Sequence, residues 1–159
     1  MRILFICFIV AILYSSCKKK TIHKCYPEYS SATVNGNNWM GKVEVIFKKN
    51  ILGDNMSIKS FSFFNPKDST VIDIIIYSPQ DGSKGQVLTE NDAVFIYRKG
   101  GASPFYYSTE YPILNTYGKL TFTDFDEGYG MEGTFEFIAH KTDSSETSVQ
   151  SGFFSAVDN

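Results

Sequence analysis

No stretch of this 159-residue chain longer than two turns repeats apolar residues at the 3.6-residue spacing of an amphipathic helix. Short segments alternate with a period of two instead. In GKVEVIFKK, Val43, Val45 and Phe47 alternate with Lys42, Glu44 and Lys48, so one face of a strand is dry and the other wet. The Asn35-Gly36 step just before it is the tightest hairpin signal in the chain. VIDIIIYSP is apolar on both faces from Ile74 to Ile76, as a central strand is. The segments SIKSFSFFN, AVFIYRKGG, PFYYSTEY, YGKLTFTDF, MEGTFEFIAHK and TSVQSGFFSAV complete the series. The 14 Phe and 10 Tyr supply the large rings that fit pleated, half-buried surfaces. Nine or ten short strands at a spacing of about 10 residues predict an all-β fold. The expected architecture is an antiparallel β-sandwich, with a closed, lipocalin-like β-barrel as the alternative.

The N-terminus follows different rules. Met1 and Arg2 precede an apolar run of eleven residues, Ile3 to Leu13, then Ser15, Ser16 and Cys17. Eleven residues are too few to span a bilayer, which takes about 20 at a rise of about 1.5 Å each. A short basic start, an apolar run of this length and small residues after it form a secretory signal pattern. LYSSC resembles the lipobox of bacterial lipoproteins, with Tyr14 where an aliphatic residue is usual. SSCKKK resembles the looser lipoboxes of Bacteroidota lipoproteins. The resemblance implies cleavage before Cys17 and lipidation of Cys17, and with it three segments: a signal peptide over 1–16, a lipidated basic tether over 17–26, and one all-β domain over 27–159. Lys18, Lys19, Lys20 and Lys24 would hold the tether near anionic headgroups. No acidic residue follows Cys17 closely. The expected location is the outer membrane, lipid-anchored on the periplasmic face, with the cell surface as the alternative.

The C-terminal third carries a second resemblance. GKLTFTDFDEGYGMEGTFEFIA followed by VQSGFFSAV resembles the close of a Bacteroidota lipoprotein family of unknown function. The matching residues are Phe125 and Asp126, Gly133 to Phe137, and Gly152 to Phe154, and ATVNGNNW resembles the opening of the same proteins. This implies an all-β lipoprotein and no particular reaction. The residues themselves have structural work. Phe135, Phe137 and Ala139 share one strand face, Leu120 and Phe122 share a face of its hairpin partner, and Gly133 and Gly152 allow a bulge or a close approach of backbones.

Charge and motif searches narrow the chemistry. From Tyr26 onward ten Lys and Arg face seventeen Asp and Glu, a net of −7, which disfavours nucleic acid as a partner. Cys7 leaves with the signal and Cys17 takes the lipid, so Cys25 is left as the free thiol. There is no CxxC, HExxH or GxSxG, and DGSKG at 81–85 lacks the first glycine of a nucleophile elbow. His140 is expected to be an exposed strand residue. No cofactor is expected, since the histidine and cysteine pool is too small for a zinc site. Asp124, Asp126 and Glu127 in DFDEGYG have the spacing of a calcium loop but fit a hairpin turn better, because the chain re-enters a strand. Glu132 and Glu136 share a face yet stand roughly 13 Å apart, too far for a glycosidase pair.

The most suggestive patch is RKGGASPFYYSTEY. Phe105, Tyr106, Tyr107 and Tyr111 surround a glycine-rich turn, and tyrosine combines an apolar ring with a polar tip suited to sugars or interfaces. Alternation puts Tyr106 on the face opposite Phe105 and Tyr107. The expected function is a non-catalytic ligand- or glycan-binding module of the cell envelope. An assembly or adaptor protein holding an envelope partner through its acidic surface is the alternative, and a hydrolase comes third.

Overall fold

The Asn35-Gly36 step makes the tight turn the sequence predicts. Both residues have positive φ, 48° and 79°, the twist that joins two antiparallel strands through a two-residue loop. The computed structural model describes residues 24–48, 58–77, 83–100, 106–110, 115–126 and 128–157. Within them lie ten strands: β1 (Tyr29–Val34), β2 (Asn37–Lys48), β3 (Ile58–Asn65), β4 (Thr70–Ile76), β5 (Val87–Thr89), β6 (Ala93–Lys99), β7 (Tyr106–Ser108), β8 (Tyr117–Asp126), β9 (Gly130–His140) and β10 (Glu146–Ala156). No helix among the described residues is long and apolar enough to cross a membrane.

β1 to β4 run as an antiparallel meander, and β4 pairs with β6 and β6 with β7. β7 meets β9 where Ser108 faces His140, β9 pairs with β10, and β10 returns to β1. The result is a closed eight-strand antiparallel barrel. β8 lies along β9 and β5 adds to β8, so these two extra strands extend the wall beside the short β7. The antiparallel all-β expectation holds, and of the two architectures the barrel is the one formed. What decides it is the β1–β10 pairing, Tyr29 opposite Ser155 and Val34 opposite Val149, which joins the two ends of the domain and closes the eight-strand wall, leaving β5 as the edge of the two-strand extension.

Phenylalanine fills the lumen. Phe61, Phe63, Phe95, Phe122, Phe137 and Phe154 are fully buried together with Ile72, Ile74, Leu120, Met131 and Val149. Eight strands leave an interior just wide enough for side chains to fill or for one small ligand, and here side chains take it. The rings need room, which glycines supply. Gly118 lies under Phe95, Gly133 under Phe154 and Gly152 under Phe135, and a Cβ at Gly133 would collide with Phe154 and stand 2.7 Å from the Thr121 carbonyl oxygen. The layer expected from Leu120, Phe122, Phe135, Phe137 and Ala139 is therefore real, and all five are buried. Register shifts fall beside those glycines, between Phe122 and Asp124 on β8 and between Val149 and Gly152 on β10.

His140 corrects an expectation. Alternation places it on the outer face, yet it is only 5% exposed, and neither ring nitrogen has a hydrogen-bond partner among the described residues. It sits at the seam where β7 joins β9, and Ser108 opposite it is also buried. An outward position is exposed only where nothing crosses the wall. The chain leaves β7 opposite His140 and begins β8 opposite Ile138, so that connection starts and ends beside this seam.

Candidate functional site

Two ends of the barrel differ. At one end the lumen-facing series on β6 runs Phe95, Tyr97, Lys99, and the one on β9 runs Phe137 and Ala139, with Lys141 the first residue beyond that strand. The side chains thus change from fully buried rings to phenols and ammonium groups as the strands leave the core. Tyr97, Lys99, Tyr107 and Lys141, with Asn35 from the β1–β2 turn, line an open hollow of about 430 Å³. The Tyr97 and Tyr107 rings stand 6.1 Å apart at 43°, and Lys141 Nζ lies 4.5 Å from the centre of the Tyr107 ring. A cation at that distance is attracted by the ring's quadrupole, so Lys141 and Tyr107 hold each other.

The rim is built to stay in place. Asn35 Oδ1 accepts the Ser148 N–H at 2.9 Å and the Thr147 hydroxyl at 3.2 Å, and the Asn35 N–H donates to the Ser148 carbonyl at 2.9 Å. Beneath it, Trp39 Nε1–H donates to Thr70 Oγ1 at 2.7 Å, and the Thr70 hydroxyl donates to Asp68. Burial and then the Asp68 carboxylate push the Tyr97 phenol above its ordinary range, so it stays neutral and keeps its O–H. The acids nearby are committed to turns. Asp68 Oδ1 also accepts the Thr70 N–H, and Asp143 accepts the Ser145 N–H and hydroxyl, which holds its carboxyl below the usual range.

Of the four aromatic residues singled out in the sequence, Tyr107 reaches this mouth. Tyr106 sits opposite Arg98 on the outer face, where Arg98 is paired with Asp73 at 2.7 Å. One ligand in the mouth therefore touches Tyr107 and not Tyr106. Phe105 and Tyr111 lie outside the described residues, as do Cys17, His23 and Glu127. Tyr97, Lys99 and Lys141 were missed. The signal was present, since continuing the inward parity of Phe95 by two and then four residues, and that of Ala139 by two, reaches all three.

The opposite end holds the remaining candidates. The Asp126 backbone carbonyl accepts the Tyr129 N–H at 3.0 Å in a turn that closes the β8–β9 hairpin. Asp124 is taken by Lys24 at 3.0 Å, by Lys84 at 3.5 Å and by the Tyr26 hydroxyl at 3.3 Å. Lys24 also pairs with Glu132 at 2.5 Å, and these carboxylates raise its pKa to about 12. Among the described residues no group of three or more His, Cys, Asp or Glu is placed to hold a metal. Tyr26 is 5% exposed and packs over Gly130, so two residues read in the sequence as tether lie against the barrel. Cys25 between them is exposed.

Shallower grooves cross the outer wall. One of about 390 Å³ runs over Lys119, Thr121, Thr134, Glu136, Ser151 and Phe153, and one of about 330 Å³ over Phe64, Ser69, Val71 and Arg98. Neither brings two rings and two cations together as the mouth does. No family model, curated protein or solved structure matches this chain.

Proposed function

We propose that this protein is an outer-membrane lipoprotein whose barrel binds a small molecule or glycan at its mouth and performs no reaction on it. The observation that carries the reading is the contrast between a lumen packed with phenylalanine and a hollow of about 430 Å³ at one end, where tyrosine and lysine replace phenylalanine. Pockets for small ligands are of about 300–1,000 Å³, largely apolar, with a few convergent polar groups. The mouth has that size, with a lining more polar than apolar in which two tyrosine rings supply the apolar surface.

The lipid on Cys17 is the second part of the proposal, and it sets an orientation. The chain reaches the barrel at the Gly130 end, where Lys24 and Tyr26 dock, and the mouth lies at the His140 end of the same strand. Seven residues from Cys17 to Lys24 reach at most roughly 25 Å. The docked end would therefore stay near the bilayer and the mouth would open away from it, toward ligands that arrive from solution.

Two measurements test the two parts. In backbone-amide NMR of the full-length chain against a panel of neutral and acidic mono- and disaccharides, saturable shifts should cluster at Tyr97, Tyr107 and Lys141. Tyr107→Ala should weaken that binding about tenfold, the worth of one lost ring contact. Shifts confined to the outer wall, unchanged by Tyr107→Ala, would move the function to that surface. For the anchor, labelled palmitate should be incorporated by the wild-type chain and lost in Cys17→Ser; equal labelling of both refutes lipidation there.

A further inference from the structure

The mouth also indicates what kind of ligand it takes. Lys99, opposite Thr70 on the inward face of β6, and Lys141, the first residue beyond β9, both line the mouth, where a small barrel is ordinarily closed by apolar side chains. Lysines commonly cover an apolar core with their stems while the ammonium stays in water. That accounts for one lysine over a core and not for two converging on a hollow walled by Tyr97 and Tyr107. The location is also against the general charge of the domain, which is net −7 from Tyr26 onward. Asp68 and Asp143 keep their negative charge while they accept from Thr70 and Ser145, and Asp143 acts on Lys141 through that charge, but neither lines the hollow. The charged side chains of the lining itself are Lys99 and Lys141, and the tyrosine rings are its apolar surface.

We propose that the mouth selects a compact ring bearing a carboxylate, an acidic sugar of the uronic acid type, with Lys99 and Lys141 taking the carboxylate and Tyr97 and Tyr107 taking the ring. This rests on the mouth being the binding site and adds the ligand class. The carboxylate accepts from ammonium donors, and hydrogen bonds to charged groups are about twice as strong as neutral ones. The tyrosines present amphipathic faces, apolar to the C–H surface of a sugar and polar at the hydroxyl. Arg98, the residue best shaped to grip a phosphate by two parallel bonds, is on the outer wall and already engaged by Asp73 through Nε and Nη2 at 2.7 Å each. Lysine without a guanidinium fork suits a single carboxylate held from two sides.

The test titrates the full-length chain with glucuronate and with glucose, a pair differing in the carboxylate, and follows the amides of Tyr97, Tyr107 and Lys141 by NMR. Glucuronate should bind at least about tenfold more tightly than glucose. The gap should narrow when salt rises from roughly 50 mM to 500 mM, because the exposed ammonium groups are screened. Lys99→Gln and Lys141→Gln should each reduce the preference severalfold with the thermal midpoint unchanged, and Lys99→Arg should retain it. Equal binding of both sugars at these amides overturns the carboxylate selection and leaves the mouth as the site. If neither sugar shifts them while another probe of the panel does, the acidic-sugar class is wrong; if no probe does, the site itself is wrong.

Discussion

Phe154→Ala should lower the stability of the barrel by about 3–5 kcal/mol, a large share of the roughly 5–15 kcal/mol that a domain possesses. Phe154 is fully buried, with ring centres 5.0 Å from Phe61, 5.7 Å from Phe63 and 6.3 Å from Phe122. It also covers Gly133, which has no side chain to fill the space a truncation would leave. The loss therefore combines the transfer of a ring with a cavity lined by rigid rings that cannot close on it. Urea unfolding of the full-length chain, followed by the fluorescence of Trp39, its single tryptophan, is the measurement. A midpoint close to wild type would mean that the lumen is loosely packed, and with it would go the argument that a ligand is confined to the mouth.

A packed lumen separates this barrel from one that can hold a ligand inside. A closed eight-strand wall can enclose either a ligand or its own side chains. Seven buried phenylalanines, with Gly118, Gly133 and Gly152 making room for Phe95, Phe154 and Phe135, commit the interior to packing. For the binding role proposed above, specificity is then set where the strands end, by residues that also cap the core. Tyr97, Lys99, Tyr107 and Lys141 stand there and line the hollow.

The parts of the fold visible in the sequence are those set by near neighbours. The Asn35-Gly36 turn, the β8–β9 hairpin and the shared face of Phe135, Phe137 and Ala139 all depend on a period of two and on local turn chemistry. Closure does not. The same alternation suits a sandwich and a barrel, and the deciding contact pairs Tyr29 with Ser155 across most of the chain. The mouth was half visible for the same reason. Tyr107 stood out because it sits in a cluster of rings, whereas Lys99 and Lys141 become neighbours only once β6 and β9 are brought to the same end. For His140 the parity was right and the exposure was not, because a strand-to-strand seam is no more evident in one sequence than a sheet edge.

Tyr26→Ala should cost about 3 kcal/mol, although the residue precedes the first strand. Its ring is 5% exposed, lies over Gly130, and carries a hydroxyl that donates to Asp124 at 3.3 Å. Burial first, and the Asp124 carboxylate second, raise its phenol above the ordinary value of 10.0. A phenol raised in the folded state contributes stability that is complete below pH 10 and is lost as pH climbs through the folded value. Lys24 acts in the same direction, since its ion pairs with Glu132 and Asp124 persist below 10.5 and disappear as pH passes about 12. Wild type should therefore lose stability above pH 10, and Tyr26→Phe, which keeps the ring and removes the titrating group, should lose less. Urea midpoints at pH 8 and pH 11 for wild type, Tyr26→Phe and Tyr26→Ala separate packing from ionisation. A Tyr26→Ala midpoint equal to wild type at pH 8 would end the folded unit at Pro27 and detach the tether from the wall. It would also remove the orientation argument, because the mouth points away from the bilayer only if the chain is fastened at the Gly130 end.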